Sequence, residues 1–107
     1  MIVIPQNILI IKNRIIKNEN RLNNALLSIK ELEIALNNFK MNKDTIKSLN
    51  KYYGSKNWFK DKDSFEKGKI SNVKAGVLSE DAIWNMNEDI NDLLEEMKTI
   101  IEEYKEV

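Results

Sequence analysis

The 107-residue sequence contains no cysteine and no histidine, and it has only one proline and three glycines. Without cysteine there are no disulfides or thiolate metal sites, and without histidine the commonest general base is missing. So few prolines and glycines argue against an all-β fold, which needs many tight turns. No nucleophile motif or phosphate-binding loop is present either, so we expect a non-enzymatic protein without a cofactor.

The balance of charge and the short apolar runs exclude further classes. Lysine plus arginine equal aspartate plus glutamate at 17 each, so bulk charge does not indicate a nucleic-acid or membrane-surface protein. The apolar start, residues 1–11, is interrupted at Pro5 and lacks a basic leader. It falls far short of the ~20 apolar residues of a membrane span. We expect a cytoplasmic protein, and the bias toward Asn, Ile and Lys favours an AT-rich bacterial or phage genome.

A heptad pattern predicts a long first helix over about residues 6–52. Its apolar positions recur at alternating spacings of three and four, with one polar interruption at Asn18. Gly54 is the expected stop, because glycine readily adopts the left-handed conformation that closes a helix. We call the following set of positions the α1 seam: Ile8, Ile11, Ile15, Asn18, Leu22, Ala25, Ile29, Leu32, Leu36 and Phe39.

A second helix is predicted over about residues 79–106. Ser79 is a good N-cap, and the acids at 80 and 81 oppose the positive end of the helix dipole. Apolar residues at three positions of each heptad form a face wide enough for a helical bundle. The main stripe consists of Ile83, Met86, Ile90, Leu93, Met97, Ile100, Tyr104 and Val107.

The connecting segment, residues 54–78, holds all three glycines, one tryptophan and two phenylalanines. Connections of this length without structure are uncommon in compact domains, and the aromatic residues argue against disorder. We therefore expect an ordered segment with one or two short helical turns, packed back on the long helix.

Opposite charges on the two helices favour a single all-α domain built as an antiparallel hairpin. Residues 1–53 carry a net charge of +5 (nine basic, four acidic), whereas residues 79–107 carry −8 (two basic, ten acidic). Pairing Ile15 with Ile100 and Leu22 with Leu93 aligns the apolar layers, with Arg14 and Arg21 beside acids of the second helix. Because two helices and a connecting segment bury a wide stripe poorly, we also expect a homo-oligomer, most simply a dimeric four-helix bundle.

Two motifs resemble a known family. Tyr52-Tyr53-Gly54-Ser55 followed by Trp58, and Gly76-Val77-Leu78-Ser79-Glu80-Asp81, are similar to motifs of the bacterial domain-of-unknown-function family 4298. Arg14 also matches an arginine of that family's first helix. The resemblance covers nearly the whole chain and implies a long first helix, an aromatic connection and a last helix opened by the second motif.

The candidate ligand site is the Tyr52–Trp58 cluster, made of Tyr52, Tyr53, Gly54, Ser55, Lys56 and Trp58. Aromatic planes, a hydroxyl and a lysine beside a glycine turn are suited to a base and a phosphate. The alternative interpretation is a helix end with aromatic packing. Arg14 and Arg21 either clamp an anion at an oligomer interface or, with Asn18, specify the pairing of helices.

Two functions remain open from the sequence. The first is sequestration of an anionic small molecule, such as a signalling nucleotide, a role suited to a phage anti-defence protein. The second is a protein–protein interaction module or inhibitor that docks on a host protein through the aromatic segment or an apolar helix face. Nucleic-acid binding is disfavoured by the acidic last helix.

Overall fold

A computed structural model describes residues 3–107 and confirms an all-α fold. Its elements are α1 (Gln6–Met41), α2 (Lys43–Tyr52), α3 (Lys56–Glu66), a 3₁₀ turn (Gly76–Leu78) and α4 (Glu80–Tyr104). No helix within the described residues is long and apolar enough to cross a membrane. The chain divides into two compact units, the first ending at Lys43 and the second covering Asp44–Val107.

The predicted first helix is broken at Asn42, which separates α1 from α2. The Asn42 side chain donates from Nδ2 to the carbonyl of Asn38 at 2.9 Å. Its backbone N–H is shared between the carbonyls of Asn38 and Phe39, both at 3.2 Å. The heptad pattern does not reveal this break.

The connecting segment contains more helix than the sequence predicts. Residues 56–66 form the three-turn helix α3, and only residues 76–78 form a short 3₁₀ turn. Ser55 caps α3 by accepting a hydrogen bond from the Trp58 N–H at 3.2 Å. Ser55 belongs to the motif that we interpreted as a ligand site, so its role as a helix cap was not considered. For this reason the sequence predicted only short helical turns here.

The start of α4 is confirmed at Ser79. Its hydroxyl accepts from the Ala82 N–H at 3.1 Å, and Glu80 and Asp81 occupy the first turn. The cap and the two acids satisfy the donors and the positive dipole end that a helix start exposes.

The second unit contains an antiparallel hairpin of α2 and α4. The amides of Asn50 and Asn87 hydrogen-bond each other in both directions, at 3.1 and 2.7 Å. Nearer the connection, the Tyr53 hydroxyl donates to the Glu80 carbonyl at 2.8 Å. The numbers of the paired asparagines add to 137, whereas the predicted pairing of helix one with helix two requires about 115. The predicted pairing is therefore wrong within the chain, because α4 begins beside the end of α2.

The core of the second unit is small. Among the described residues only Trp58 and Ile83 are buried, with 3% and 4% of their surface exposed. Ile46, Leu49, Met86 and Ile90 are half-buried around the hairpin. In the first unit no described residue is buried, and the apolar residues of the α1 seam are all exposed.

Candidate functional site

The Tyr52–Trp58 cluster is a tight turn between two helices. The Tyr53 N–H donates to the Leu49 carbonyl at 2.9 Å, and the Ser55 N–H donates to the Tyr52 carbonyl at 3.0 Å. Gly54 between them has φ +76°, the left-handed region that closes helices. The predicted stop at Gly54 is confirmed, and its local role is the joining of α2 to α3.

Trp58 anchors the second unit. Its ring contacts Tyr53 edge-on at 5.1 Å between centroids, and its Nε1–H donates to the Val77 carbonyl at 3.0 Å. Phe59 contacts the same ring edge-on at 5.0 Å. The indole therefore connects α3 to the segment that leads into α4, and its ring and its N–H donor both serve packing.

Lys62 also contacts the Tyr52–Trp58 cluster, and the motifs of the sequence did not indicate this contact. Its ammonium lies 5.1 Å from the centre of the Trp58 ring and 3.0 Å from a Glu80 carboxylate oxygen. The hydrogen bond to Glu80 raises the pKa of Lys62 above its ordinary value. Lys62 follows Trp58 by four residues, so both side chains lie on one face of α3. This spacing could have predicted the contact once residues 56–66 were assigned to a helix.

The Tyr52 side chain is held by α3. Its hydroxyl donates to the Asp61 carboxylate at 2.6 Å. That hydrogen bond is the largest cause of a raised Tyr52 pKa, followed by burial and by the negative charge of Asp61. Because the fold favours the protonated phenol, the bond contributes stability below about pH 10, the ordinary tyrosine value, and loses it as the pH rises through the raised pKa.

We expect Asp61→Asn to lower the Tyr52 pKa toward the ordinary tyrosine value, because the charged acceptor is removed. Ultraviolet absorbance of tyrosinate during an alkaline titration measures this change, and Tyr52→Phe identifies which step belongs to Tyr52. Asp63→Asn is the matched control, since Asp63 pairs with Lys67 at 2.9 Å instead. Identical titrations of the wild type and Asp61→Asn would contradict the assigned hydrogen bond.

The remaining candidate residues are not brought into the cluster's contacts. Lys56 is the exposed first residue of α3. Arg14 and Arg21 belong to the first unit, where the Asn18 Nδ2 donates to the Arg14 carbonyl at 2.9 Å. The Arg21 guanidinium donates to the Asn18 Oδ1 at 3.2 Å. Asn18 thus has its hydrogen bonds satisfied along its own helix.

The second unit also contains a shallow recess that the sequence did not predict. Its volume is about 310 Å³, and its lining combines one lysine, one aspartate and one serine with an apolar wall. The lining residues are Lys60, Asp61, Ser64, Phe65, Ile70, Val73 and Leu78. Ligand binding at the Tyr52–Trp58 cluster itself stays a prediction.

Comparison with known proteins gives a family and no function. A family model described as a domain of unknown function, DUF4298, matches residues 15–106. No curated protein and no solved structure matches the chain. The match extends over most of the chain and agrees with the resemblance of the two sequence motifs, so the protein belongs to the DUF4298 family.

Proposed function

We propose that the protein is a non-enzymatic cytoplasmic interaction module whose exposed apolar helix faces dock on other protein helices. The absence of histidine and cysteine from the whole sequence supports a role without catalysis. The buried position of Trp58 and the internal hydrogen bonds of Tyr53 and Ser55 favour a packing role for the aromatic turn. The docking surface is then an apolar helix face rather than the aromatic segment.

The observation that carries this proposal is the exposure of the α1 seam. Its apolar residues recur at heptad spacing over a 36-residue helix, and Ile15 and Leu22 leave 59% and 51% of their surface in contact with solvent. Soluble monomers seldom expose contiguous apolar patches of this extent, and such patches mark interaction sites. Helix-in-groove and coiled-coil partners are recognised through anchors at this spacing.

Sequestration of an anionic small molecule is the second candidate, and the recess beside Lys60 is the observation in its favour. The apolar wall formed by Phe65, Val73 and Leu78 suits a hydrophobic body. Lys60 suits an anionic group, while the neighbouring Asp61 carboxylate already accepts a hydrogen bond from Tyr52. Calorimetric titration with cyclic and ADP-ribose nucleotides tests this role. No heat with any of them would count against it.

The interaction module predicts that charges placed in the α1 seam abolish association. We expect Ile15→Glu combined with Leu22→Glu to reduce the yield of cross-linked adducts in cells at least about tenfold, because glutamates in a buried seam leave unpaired charges. The matched control is Asn13→Glu combined with Asn20→Glu, which adds the same charge at exposed positions outside the seam. Equal yields from the seam variant and the control would contradict the proposed function.

A further inference from the structure

The exposed apolar stripe of α4 is confined to its C-terminal half. Ile83 is buried and Ile90 is half-buried within the second unit, whereas Leu93 and Ile100 are 50% and 43% exposed. Tyr104 and Val107 continue the exposed stripe. This stretch of α4 is therefore free to receive a partner that the second unit does not provide.

We propose that the N-terminal half of α1 pairs antiparallel with this stretch of α4 from a second copy of the chain. The inference rests on the proposed function and names its partner. The apolar layers are Ile11 with Tyr104, Ile15 with Ile100, and Leu22 with Leu93 of the second copy, whose numbers add to 115 in each pair. All six side chains are exposed in the single chain.

Charge complementarity supports the same alignment. In an antiparallel pair the residues that flank the seam meet their counterparts, which places Arg14 by Glu103 and Arg21 by Glu96. None of these four side chains forms an ion pair within the part of the chain that the structure describes. The pairing would bring together two sets of unused opposite charges.

The described chain does not make this pairing itself. The Asn50–Asn87 amides pair α2 with α4 at a sum of 137, whereas the seam pairing requires 115. The seam residues Ile15 and Leu22 and their proposed partners on α4 stay exposed in the single chain, so a second copy can contact them.

Pairing of α1 with a second α1 is less favourable electrostatically. Residues 6–41 carry six basic and three acidic side chains, so two copies would bring like net charge together. Residues 93–107 carry five acidic and two basic side chains, which gives the opposite sign. Asn18 meets Met97 in the proposed pairing, and its internal hydrogen bonds allow it to face an apolar partner.

Each contact of α1 with α4 of a second copy would contain one Arg14–Glu103 pair and one Arg21–Glu96 pair.

Disulfide trapping tests the alignment in the full-length protein, because the sequence has no cysteine to interfere. We expect an equimolar mixture of Ile15→Cys and Ile100→Cys proteins to form an intermolecular disulfide under mild oxidation. A mixture of Ile15→Cys with Leu93→Cys should give at least about tenfold less, since a shift of seven residues separates the thiols by about 10 Å.

A charge exchange provides a second measurement that does not depend on cysteine. We expect Arg21→Glu to weaken self-association about tenfold, measured as the dissociation constant in sedimentation, and Glu96→Arg in the same chain to restore it. High salt should reduce the difference.

The contrary results are distinct. Disulfides of Ile15→Cys with itself would show parallel α1 pairing, and no disulfide in the Ile15→Cys and Ile100→Cys mixture would also overturn the proposed alignment. Either result would leave the interaction module standing if the glutamates in the seam still abolish cross-linking in cells. If those glutamates have no effect on cross-linking, both the proposed interaction module and the proposed pairing of α1 with α4 are contradicted.

Discussion

Replacing Trp58 with alanine should lower the free energy of unfolding of the second unit by about 3–5 kcal/mol, the range for buried aromatic residues. The indole is 3% exposed, and its edge contacts with Tyr53 and Phe59 are lost on truncation. The Val77 carbonyl also loses its donor. Because the core contains so few buried residues, few other contacts stabilise the second unit once the indole is removed. We therefore expect most of the unit to unfold.

Urea denaturation followed by circular dichroism measures this change. Trp84→Ala is the matched control, because Trp84 lies on α4 with 58% of its surface exposed. Its effect should stay within about 0.5 kcal/mol, as is usual for surface substitutions. Trp58→Phe should fall between the two, since it keeps most of the ring volume and loses the hydrogen bond to Val77. Equal losses in Trp58→Ala and Trp84→Ala would contradict the assignment of Trp58 to the core.

Ile83→Ala should be the second most damaging substitution, with a loss of about 2–4 kcal/mol. Ile83 is 4% exposed in the first turn of α4, and it is the only other residue of the described chain that is buried. Removing three carbons there leaves a cavity in the same helical turn as Glu80, whose carbonyl accepts a hydrogen bond from Tyr53. The hairpin of α2 and α4 should become less stable at the end near the connecting segment, where Tyr53 contacts Glu80.

Ile101→Ala provides the comparison for Ile83→Ala, because it makes the same chemical change on the same helix at a residue that is 58% exposed. Both variants should be unfolded in urea at low protein concentration, so that self-association does not contribute. A loss for Ile101→Ala as large as that for Ile83→Ala would show that the core extends further along α4 than the single chain indicates.

The helix ends were largely predictable because they depend on local chemistry. Gly54 closes α2 through its own backbone conformation, and Ser79 caps α4 through its own hydroxyl. The break at Asn42 was not predictable from periodicity, since asparagine is common in this sequence and Asn18 makes the same bond to the preceding turn inside an unbroken helix. The helix α3 was likewise not predicted, because the charged and aromatic residues of 56–66 do not form a clear apolar stripe.

The alignment of the helices could not be derived from the heptad pattern. A repeat of seven residues offers equivalent apolar layers at every heptad shift, so weak terms decide among them. We used the charges of Arg14 and Arg21, whereas the chain uses Asn50 with Asn87 and Tyr53 with Glu80. Polar side chains of this kind look like ordinary surface residues in a sequence.

The composition of the candidate site was predictable from the sequence, but its internal hydrogen bonds were not. The cluster of Tyr53, Gly54, Ser55 and Trp58 does assemble at one turn, yet its donors and acceptors bond to the chain itself. The sequence could not show which of its two tryptophans is buried. Trp58 follows a polar residue and Trp84 follows an apolar one, and neither position belongs to a pattern that predicts burial.

The reciprocal amide contact between Asn50 and Asn87 has a consequence for how the hairpin responds to its surroundings. Neither carboxamide gains or loses a proton over the range in which carboxylates and amines titrate, and neither carries a net charge that dissolved ions would shield. The Lys62–Glu80 contact, by contrast, is an ion pair that dissolved salt screens. Concentrated electrolyte should therefore weaken the hold of Glu80 on the lysine above the indole while the amide contact between α2 and α4 persists.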